Sequence, residues 1–376
     1  MAISKPTERE IEDRYASEDR EISQERNDFL LPQIIDFVRA KQWMNVQPEY
    51  QRRQVWDRKK QSLFIESVLM NLPIPPVFLF EPEYSRYEVM DGQQRLSSIV
   101  AFYENRLKLT GLEHWTELNG RYYSDLPLKV QRGLDRRRIS AVVLQANTSS
   151  NGKEDLRRIV FERLNTGGQK LNAQELRNCV YASPFASKII ELAGYGVFND
   201  LWDIPRYEDN ITGKKISESL GNNSLFKRMI DCELVLRYFA LRSKKNIKGS
   251  VKSILDKCME ANMNTNDNEL SLMDDEFKTR VDLAYELFGE SAFKINDRTT
   301  GQKKPSQPFY DAVLVACDRQ YKNRDQLVAK KAELSAKIHN ELAAADIYEL
   351  VVGRANTAEA IKKRLDLVEG WFTSVL

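Results

Sequence analysis

A short polar segment between a predicted strand and a predicted helix constrains this chain more than any other feature. Residues 91–95 read Asp-Gly-Gln-Gln-Arg. Residues 87–90 have the pattern of a strand end, and Leu96, Ile99 and Val100 are spaced as one face of a helix. Because a helix start presents backbone N–H groups and the positive end of the helix dipole, such a junction can hold a phosphate.

The side chains of this segment allow two interpretations. In the first, Arg95 adds a bidentate contact to a phosphate, and Asp91 orients Arg95, a water molecule or a metal ion. In the second, the segment is an ordinary helix start, with Asp91 as the N-cap and Arg95 in a surface salt bridge. The residue types alone do not decide between the two.

The composition limits the kinds of partner that the chain can have. Lysine and arginine number 57 against 55 aspartate and glutamate, so the formal net charge of the 376-residue chain is only +2. Binding of a polyanion must therefore come from local patches of positive charge. No apolar run is long enough to cross a bilayer, and the charged N-terminus is unlike a signal peptide. We expect a cytoplasmic protein without a membrane segment.

Histidines and cysteines give little support to metal or nucleophile chemistry. His114 and His339 are isolated, whereas a nuclease of the HNH type needs a histidine base and histidine or asparagine metal ligands. We therefore expect both histidines at the surface and no such nuclease domain in this chain. The four cysteines are far apart and lack metal-site spacing, which indicates reduced core thiols.

The hydrophobic pattern predicts an α+β domain with a small mixed sheet, followed by a mostly α-helical domain. The predicted helices of the first domain are 30–43, 58–71, 96–106 and 153–164, and its predicted strands are 77–80, 87–90 and 139–144. Residues 107–127 are predicted to form short strands and turns. Helical spacing dominates from about residue 180, including 226–241 and 326–350. The predicted divisions are a mobile arm over 1–27, a first domain over 28–185 and a helical domain over 186–376.

Four blocks of sequence, in register along the chain, resemble a known family. They are residues 46–57 (VQPEYQRRQVWD), 63–77 (LFIESVL and LPIPPV), 91–95 (DGQQR) and 161–178 (FERLNTGGQKL and ELRN). These blocks resemble the family called domain of unknown function 262, which includes the N-terminal domain of the GmrSD restriction endonuclease and the DNA-backbone-sensing SspE proteins. The resemblance covers residues 30–180 and implies a fold related to ParB and sulfiredoxin, so that residues 28–185 would be a ParB-like nucleotide- and DNA-binding domain.

The resemblance also implies nucleotide binding and hydrolysis at the polar junction. Asp91 would position Mg²⁺ or water, Gly92 would let the backbone approach a phosphate, and Arg95 would stabilise charge on the phosphoryl group. Gln93 and Gln94 would donate to a phosphate or a base. The predicted nucleotide contacts are Gly92, Gln93, Gln94, Arg95, Ser97 and Asn165, the predicted catalytic residues are Asp91, Gln94 and Arg95, and the predicted metal ligand is Asp91.

Tyr50, Gln51 and Arg52 form a second candidate site. Aromatic side chains next to arginine and glutamine suit a surface that contacts a sugar–phosphate backbone. The resemblance favours Arg52 over Arg53 as the contact and places the site beside the nucleotide pocket. The alternative is a strand edge in which Tyr50 and Trp56 pack inward and the arginines are solvated.

Residues 165–170 (NTGGQK) form a third candidate, a glycine-bearing turn between two predicted helices. Its backbone N–H groups can face a phosphate, and the resemblance implies a polar contact from Asn165. A helix C-cap without any ligand also explains the glycines. Because Gly-Lys-Ser/Thr after a strand is absent, a nucleotide site here would not be a P-loop.

Three runs of basic residues are candidates for phosphate contact, although such a run is more often a solvated face. They are Lys129, Arg132, Arg136, Arg137 and Arg138; Arg242, Lys244, Lys245, Lys248 and Lys252; and Arg298, Lys303 and Lys304. If two of these runs shared one face with the polar junction, DNA binding would be the better interpretation.

Together with the resemblance, the sequence predicts a nucleotide-binding, NTP-hydrolysing protein that uses Mg²⁺ and senses or nicks DNA in a restriction or phage-defence system. One alternative is a non-catalytic, nucleotide-gated DNA-binding module that recruits a separate nuclease subunit. Another is a protein-interaction scaffold built on the helical half. A homodimer is compatible with each of these three functions, because ParB-like proteins often dimerise.

Overall fold

The computed structural model describes residues 6–18, 22–46, 56–146, 160, 172–212, 215–298, 300–352 and 356–376. Contacts divide these residues into two compact units: those up to residue 160 form the first, and those from Asn172 onward form the second. The first unit is α+β and the second is mostly helical, which confirms the predicted fold class. The predicted domain boundary near residue 185 stays a prediction.

A mixed five-stranded sheet forms the centre of the first unit. Its strands are β1 (Ile22–Leu30), β2 (Met44–Asn45), β3 (Val77–Glu83), β4 (Arg86–Asp91) and β5 (Arg138–Ala146). Their order is β1-β5-β3-β4-β2, with β3 parallel to β5, β2 parallel to β4, and the other neighbours antiparallel. The predicted strands over 77–80, 87–90 and 139–144 are confirmed.

Helix α1 (Glu8–Glu18) and strand β1 lie where the sequence predicts a mobile arm. Strand β1 is at the sheet edge and pairs along its whole length with β5, from Ile22 opposite Ala146 to Leu30 opposite Arg138. Its sequence, ISQERNDFL, does not alternate apolar and polar residues. An edge strand is held by backbone hydrogen bonds to its neighbour, so this strand is set by its partner rather than by its own pattern.

Four helices complete the first unit. They are α2 (Leu31–Arg39), α3 (Arg58–Leu69), α4 (Gln93–Tyr103) and α5 (Leu128–Asp135). Ile34 of α2, Ile65 of α3 and Ile99 of α4 are at most 2% exposed and share a core with Leu79 and Val143 of the sheet. Each such side chain stabilises the fold by about 1.5–3 kcal/mol, which fixes α4, and with it the polar junction, against the sheet.

A buried carboxylate organises the connection between α4 and α5. Glu66 of α3 is 3% exposed and accepts the backbone N–H groups of Glu113, His114 and Trp115, the last two at 2.7 and 2.8 Å. The connection contains two 3₁₀ turns, Thr116–Leu118 and Tyr123–Asp125, and no strand. The prediction of short strands there is wrong, because Glu66 satisfies three of the backbone donors and the backbone bonds of Leu109 with residues 120 and 121 are too few to form a strand.

The second unit is built from helices and two short hairpins. Its helices are α6 (Ala173–Val180), α7 (Pro184–Leu192), α8 (Gly196–Leu201), α9 (Tyr207–Asn210), α10 (Glu218–Asn222), α11 (Ser224–Lys227), α12 (Ile230–Leu241), α13 (Val251–Ala261), α14 (Asp267–Phe288), α15 (Gln307–Arg319), α16 (Arg324–Ala329), α17 (Lys331–Glu341), α18 (Ala345–Val352) and α19 (Ala358–Ser374). The hairpins are β6 (Ile211–Thr212) with β7 (Lys215–Ile216), and β8 (Lys294–Asn296) with β9 (Lys303–Pro305). Among the described residues, no helix combines the length and apolar character needed to cross a bilayer.

Two buried arginines cross-link the helices of the second unit. Arg237 of α12 and Asp311 of α15 are 4% and 1% exposed and form a bidentate ion pair. Arg177 of α6 pairs with Glu233 of α12 at 3.1 Å and with Asp256 of α13 at 2.7 Å. Such pairs are costly to break, because each loss leaves an uncompensated buried charge. Arg177 belongs to the ELRN block that carries the family resemblance, and its ion pairs give it a structural role in the helical unit.

Helix limits in the second unit depart from the sequence pattern at two places. The helix predicted over 226–241 is divided into α11 and α12 by Met229, which has a left-handed φ of 54°. The helix predicted over 326–350 is divided into α16, α17 and α18. Three cysteines with described side chains agree with the predicted core thiols: Cys232 and Cys317 are buried, and burial raises the pKa of Cys258 to about 12.

Candidate functional site

The polar junction is a strand, a single glycine and a helix. Strand β4 ends at Asp91, helix α4 begins at Gln93, and Gly92 between them is the N-cap, with φ 96° and ψ 9°. A Cβ on Gly92 would overlap the side chain of Val77 and would lie 3.2 Å from Nη2 of Arg95. The position therefore requires glycine both for its backbone angle and for space. The alternative with Asp91 as the N-cap is wrong, because Gly92 has that place and no side chain caps the helix.

A bulge at the end of β4 sets the direction of Asp91. Leu79 of β3 is opposite Val89 and Phe78 is opposite Asp91, so Met90 is an extra residue in β4. Met90 is 7% exposed, whereas the side chain of Asp91 is 55% exposed. Bulges of this kind re-aim a side chain at the end of a strand. Here the carboxylate of Asp91 faces solvent at the start of α4.

Arg95 connects the junction to the chain segment before β3. Its Nη2 donates to Oδ2 of Asp91 at 2.8 Å, and its Nη1 donates to the carbonyl oxygen of Pro75, with Pro76 O a further acceptor at 3.4 Å. The side chain is 13% exposed, and this burial lowers the pKa of Arg95, although Asp91 opposes the shift. An arginine remains charged under such a shift. Arg95 thus forms an ion pair with Asp91, in which the guanidinium is mostly buried and the carboxylate is exposed.

The side chains of Gln94 and Ser97 face inward, and each forms a hydrogen bond with a backbone group that is remote in sequence. Oε1 of Gln94 accepts the backbone N–H of Trp56 at 3.1 Å, and Oγ of Ser97 donates to the carbonyl oxygen of Val46 at 3.4 Å. The two side chains are only 9% and 7% exposed. Helix α4 therefore holds Val46 and Trp56 in place.

The first turn of α4 has the features of an anion-binding helix start. Its first intrahelical hydrogen bond joins the N–H of Leu96 to the carbonyl oxygen of Gly92 at 3.0 Å, so the amides of residues 93–95 precede the helical ladder. Gln93 is partly exposed, and Asp91 is exposed beside it. Gly92 itself is buried and packs against the side chain of Val77. The junction thus combines the positive end of a helix with an exposed carboxylate.

The structure brings together part of the predicted site. Asp91, Gly92, Gln93, Gln94, Arg95 and Ser97 lie within one strand end and the first two turns of one helix. Tyr50, Gln51, Arg52 and Asn165 lie outside the described residues, as does the predicted helix over 153–164 apart from residue 160. The roles given to all of these residues stay predictions. In the part of the chain that is described, no group of three or more His, Cys, Asp or Glu side chains could hold a metal ion, and both histidines are exposed.

Two supports of the site were missed in the sequence. The carbonyl oxygens of Pro75 and Pro76 receive Arg95, and Val77 packs beneath Gly92. The signal was the segment LPIPP, because prolines keep a chain extended and leave carbonyl oxygens available to side-chain donors. The second support is Glu66, which holds the connection after α4. Its signal in the sequence is a lone carboxylate inside the apolar stretch LFIESVL.

The fold and the junction define an α+β domain with a strand–glycine–helix turn, followed by a helical unit. The family model of the GmrSD restriction endonuclease, N-terminal domain, matches residues 32–182. Over these residues the chain is similar to that domain. Neither the curated proteins nor the solved structures that were compared include a match to the chain.

Proposed function

We propose that the chain binds a nucleoside triphosphate at the junction of β4 and α4, hydrolyses it, and senses or nicks DNA as part of a restriction or phage-defence system. The match to the GmrSD restriction endonuclease N-terminal domain supports the setting. The observation that carries the nucleotide site is the start of α4, where the positive end of the helix lies beside the exposed carboxylate of Asp91 and the guanidinium of Arg95.

In this proposal, different residues of the junction would bind the phosphates and stabilise the charge of the transferring phosphoryl group. The amides of residues 93–95 would donate to phosphate oxygens, with the dipole of α4 adding attraction for the negative charge. Arg95 would hold Asp91 in place and contribute positive charge next to the transferring phosphoryl group. Gln93, whose side chain is partly exposed, would contact the phosphate or the base.

The junction is compatible with Mg²⁺ as the metal. Magnesium in nucleotide sites is usually bound by one or two carboxylates together with phosphate and water oxygens, and it does not need a cage of protein ligands. Asp91 supplies one exposed carboxylate at the helix start. Bound there, the ion would neutralise phosphate charge. The contacts of Tyr50, Gln51 and Arg52 with DNA, and of Asn165 with nucleotide, are part of this proposal on the basis of sequence.

Phosphate release tests the proposal. The measurement uses each of the four ribonucleoside triphosphates with Mg²⁺, with and without plasmid DNA, for wild type and Arg95→Lys. Lysine keeps the charge but cannot bind Asp91 and the Pro75 and Pro76 carbonyl oxygens together, so we expect turnover to fall on the order of 100-fold. The matched control is Arg86→Lys, because Arg86 is exposed at the start of β4 and pairs only loosely with Glu83, at 3.8 Å.

Thermal melting of both variants separates lost chemistry from lost folding, and turnover is compared at a temperature at which all three proteins are folded. Equal turnover in wild type and Arg95→Lys would remove the junction as the hydrolytic site. No release from any nucleotide by the wild type would contradict hydrolysis by this chain.

One observation favours a second candidate, a nucleotide-gated DNA-binding module without useful turnover. Arg95 is already engaged by Asp91 and two carbonyl oxygens and is only 13% exposed. Direct contact with a phosphate would require this arrangement to change, and such a change in the segment before β3 is a means of signalling that nucleotide is bound. Tight nucleotide binding without phosphate release would favour this candidate over the enzyme.

A further inference from the structure

The short helix α5 has one face made of basic side chains. Lys129, Arg132 and Arg136 follow one another at intervals of three and four residues, so they lie on the same side of the helix, and all three are exposed. Arg138, at the start of β5, is exposed as well. Within the described part of the chain, the side chains of these four residues form no ion pair or hydrogen bond. We call these four residues the α5 basic surface.

The other two basic runs are partly neutralised by the protein itself. Arg242 pairs with Glu276, and Lys244 pairs with Asp366. Lys304 pairs with Asp297 at 3.2 Å, and Arg298 donates to the carbonyl oxygens of residues 342–344. A cation that already has a partner offers less to an external anion. Among the described residues, the α5 basic surface is therefore the run in which none of the charges is paired within the protein.

The inner side of α5 holds the helix firmly and keeps its own carboxylate away from the basic surface. Leu134 is 2% exposed. Asp135 accepts hydrogen bonds from the hydroxyls of Tyr103 and Tyr123 at 3.0 and 2.9 Å, and burial together with Asp135 raises the pKa of Tyr123 to about 12. Arg137 also points inward and donates to the carbonyl oxygen of Leu69 at 2.9 Å. The basic residues thus stand on a fixed support.

The α5 basic surface and the polar junction lie at the same end of the sheet, where β3 and β5 begin and β4 ends. Phe78 of β3 is opposite Asp91 on one side and Val142 on the other. Arg138 precedes Val142 by four residues in β5, so it is about 13 Å further out along the strand and about 10 Å to the side of Asp91. The two sites are then roughly 16 Å apart, about five base-pair steps of a duplex at 3.4 Å each.

We propose that the α5 basic surface binds the phosphate backbone of duplex DNA. This inference rests on the proposed function for the identity of the polyanion, and it adds where the first unit holds it. Three or four unpaired cations on one rigid face match the regular negative charge of a duplex, whereas a single small phosphate would use only one or two of them. Contacts of this kind position a protein without reading sequence, so affinity depends on salt and little on base composition.

Gly133 offers a test that removes no basic side chain. It lies between Arg132 and Leu134, and a Cβ built there meets nothing within 4 Å. Gly133→Glu would place a negative charge within the α5 basic surface, and Gly133→Ala is the matched control with the same backbone change. Binding of a fluorescent 20-base-pair duplex, followed by anisotropy in 0.05 M salt, should be about tenfold weaker for the glutamate variant than for the alanine variant.

Salt dependence gives an independent readout. In the double variant Arg132→Gln with Arg136→Gln, the slope of log K against log salt concentration should become less steep by about 1.8, because two phosphate contacts are lost. The control with the same change in net charge is Lys245→Gln with Lys248→Gln in the second unit, and its slope should stay at the wild-type value.

The outcomes separate this inference from the proposed function. If wild type binds the duplex and Gly133→Glu binds it as well as Gly133→Ala, the α5 basic surface is overturned and DNA is held elsewhere. If wild type does not bind the duplex in 0.05 M salt, both this surface and the DNA part of the proposed function fail. Phosphate release by the wild type without DNA would still support the nucleotide part.

Discussion

Gly92→Ala is expected to lower the free energy of unfolding by about 3 kcal/mol and to abolish nucleotide binding at the start of α4. Two costs combine at this position. The φ of 96° is one that L-residues rarely adopt, and the added methyl group overlaps the side chain of Val77. Relief of the overlap would shift the end of β4 away from the start of α4, so the amides and Asp91 would no longer face one phosphate. Chemical denaturation and titration calorimetry with a non-hydrolysable triphosphate measure the two effects.

Gly120→Ala is the matched control for Gly92→Ala. Gly120 has a similar φ of 83°, but the nearest atom to an added Cβ is 3.9 Å away, on the flexible side chain of Lys108. This variant should lose about 1 kcal/mol from backbone strain alone and should bind nucleotide normally. If Gly92→Ala were as stable as Gly120→Ala and bound nucleotide equally well, the close packing of the junction would not matter for the site.

Glu66→Ala is expected to cost about 3 kcal/mol of stability. The substitution removes the acceptor shared by the backbone N–H groups of Glu113, His114 and Trp115 and leaves a cavity in α3. Since α3 begins next to Trp56, which is bonded to Gln94, the loss should also loosen the support of α4. Urea denaturation at neutral pH measures the change, and an effect below 1 kcal/mol would contradict the structural role given to Glu66.

The same carboxylate gives a pH dependence with a defined sign. Burial raises the pKa of Glu66, but the N–H donors of Trp115, His114 and Glu113 outweigh burial, so its pKa in the folded protein lies below the usual value. A lowered pKa stabilises the folded state above the unfolded-state pKa of about 4.3, and this contribution is lost as the pH falls through the folded-state value. The stability advantage of wild type over Glu66→Gln should therefore shrink below pH 4.3. A constant difference from pH 7 to pH 3 would contradict it.

The polar junction was predictable because its neighbours are. Val89 and Met90 are apolar residues at a strand end, and Leu96, Ile99 and Val100 are core residues of a helix, so the pattern itself locates the turn between them. The sequence could not show that Gln94 and Ser97 face inward, since a polar residue in an apolar helix can serve either the chain or a ligand. That distinction depends on Val46 and Trp56, which are remote in sequence.

The elements that were missed are those fixed by remote partners. Strand β1 is polar and is specified by its pairing with β5. The connection after α4 is shaped by Glu66, which lies 48 positions before His114 in the sequence. The division of the helix at Met229 contradicts good local helix propensity, which tertiary packing often overrides. Hydrophobic periodicity indicates which residues of one element are buried, but it gives no information about contacts with residues remote in sequence.

Hydrogen exchange at the start of α4 tests the central claim most directly. Exchange of the backbone amides of residues 89–98 would be followed in the wild-type chain, with and without a saturating non-hydrolysable triphosphate and Mg²⁺. The account predicts that the nucleotide slows exchange in this segment, because amides that precede the helical ladder would donate to phosphate oxygens, and that exchange in α12 stays unchanged. Slowed exchange elsewhere with no change in residues 89–98, or no change anywhere at millimolar nucleotide, would contradict it.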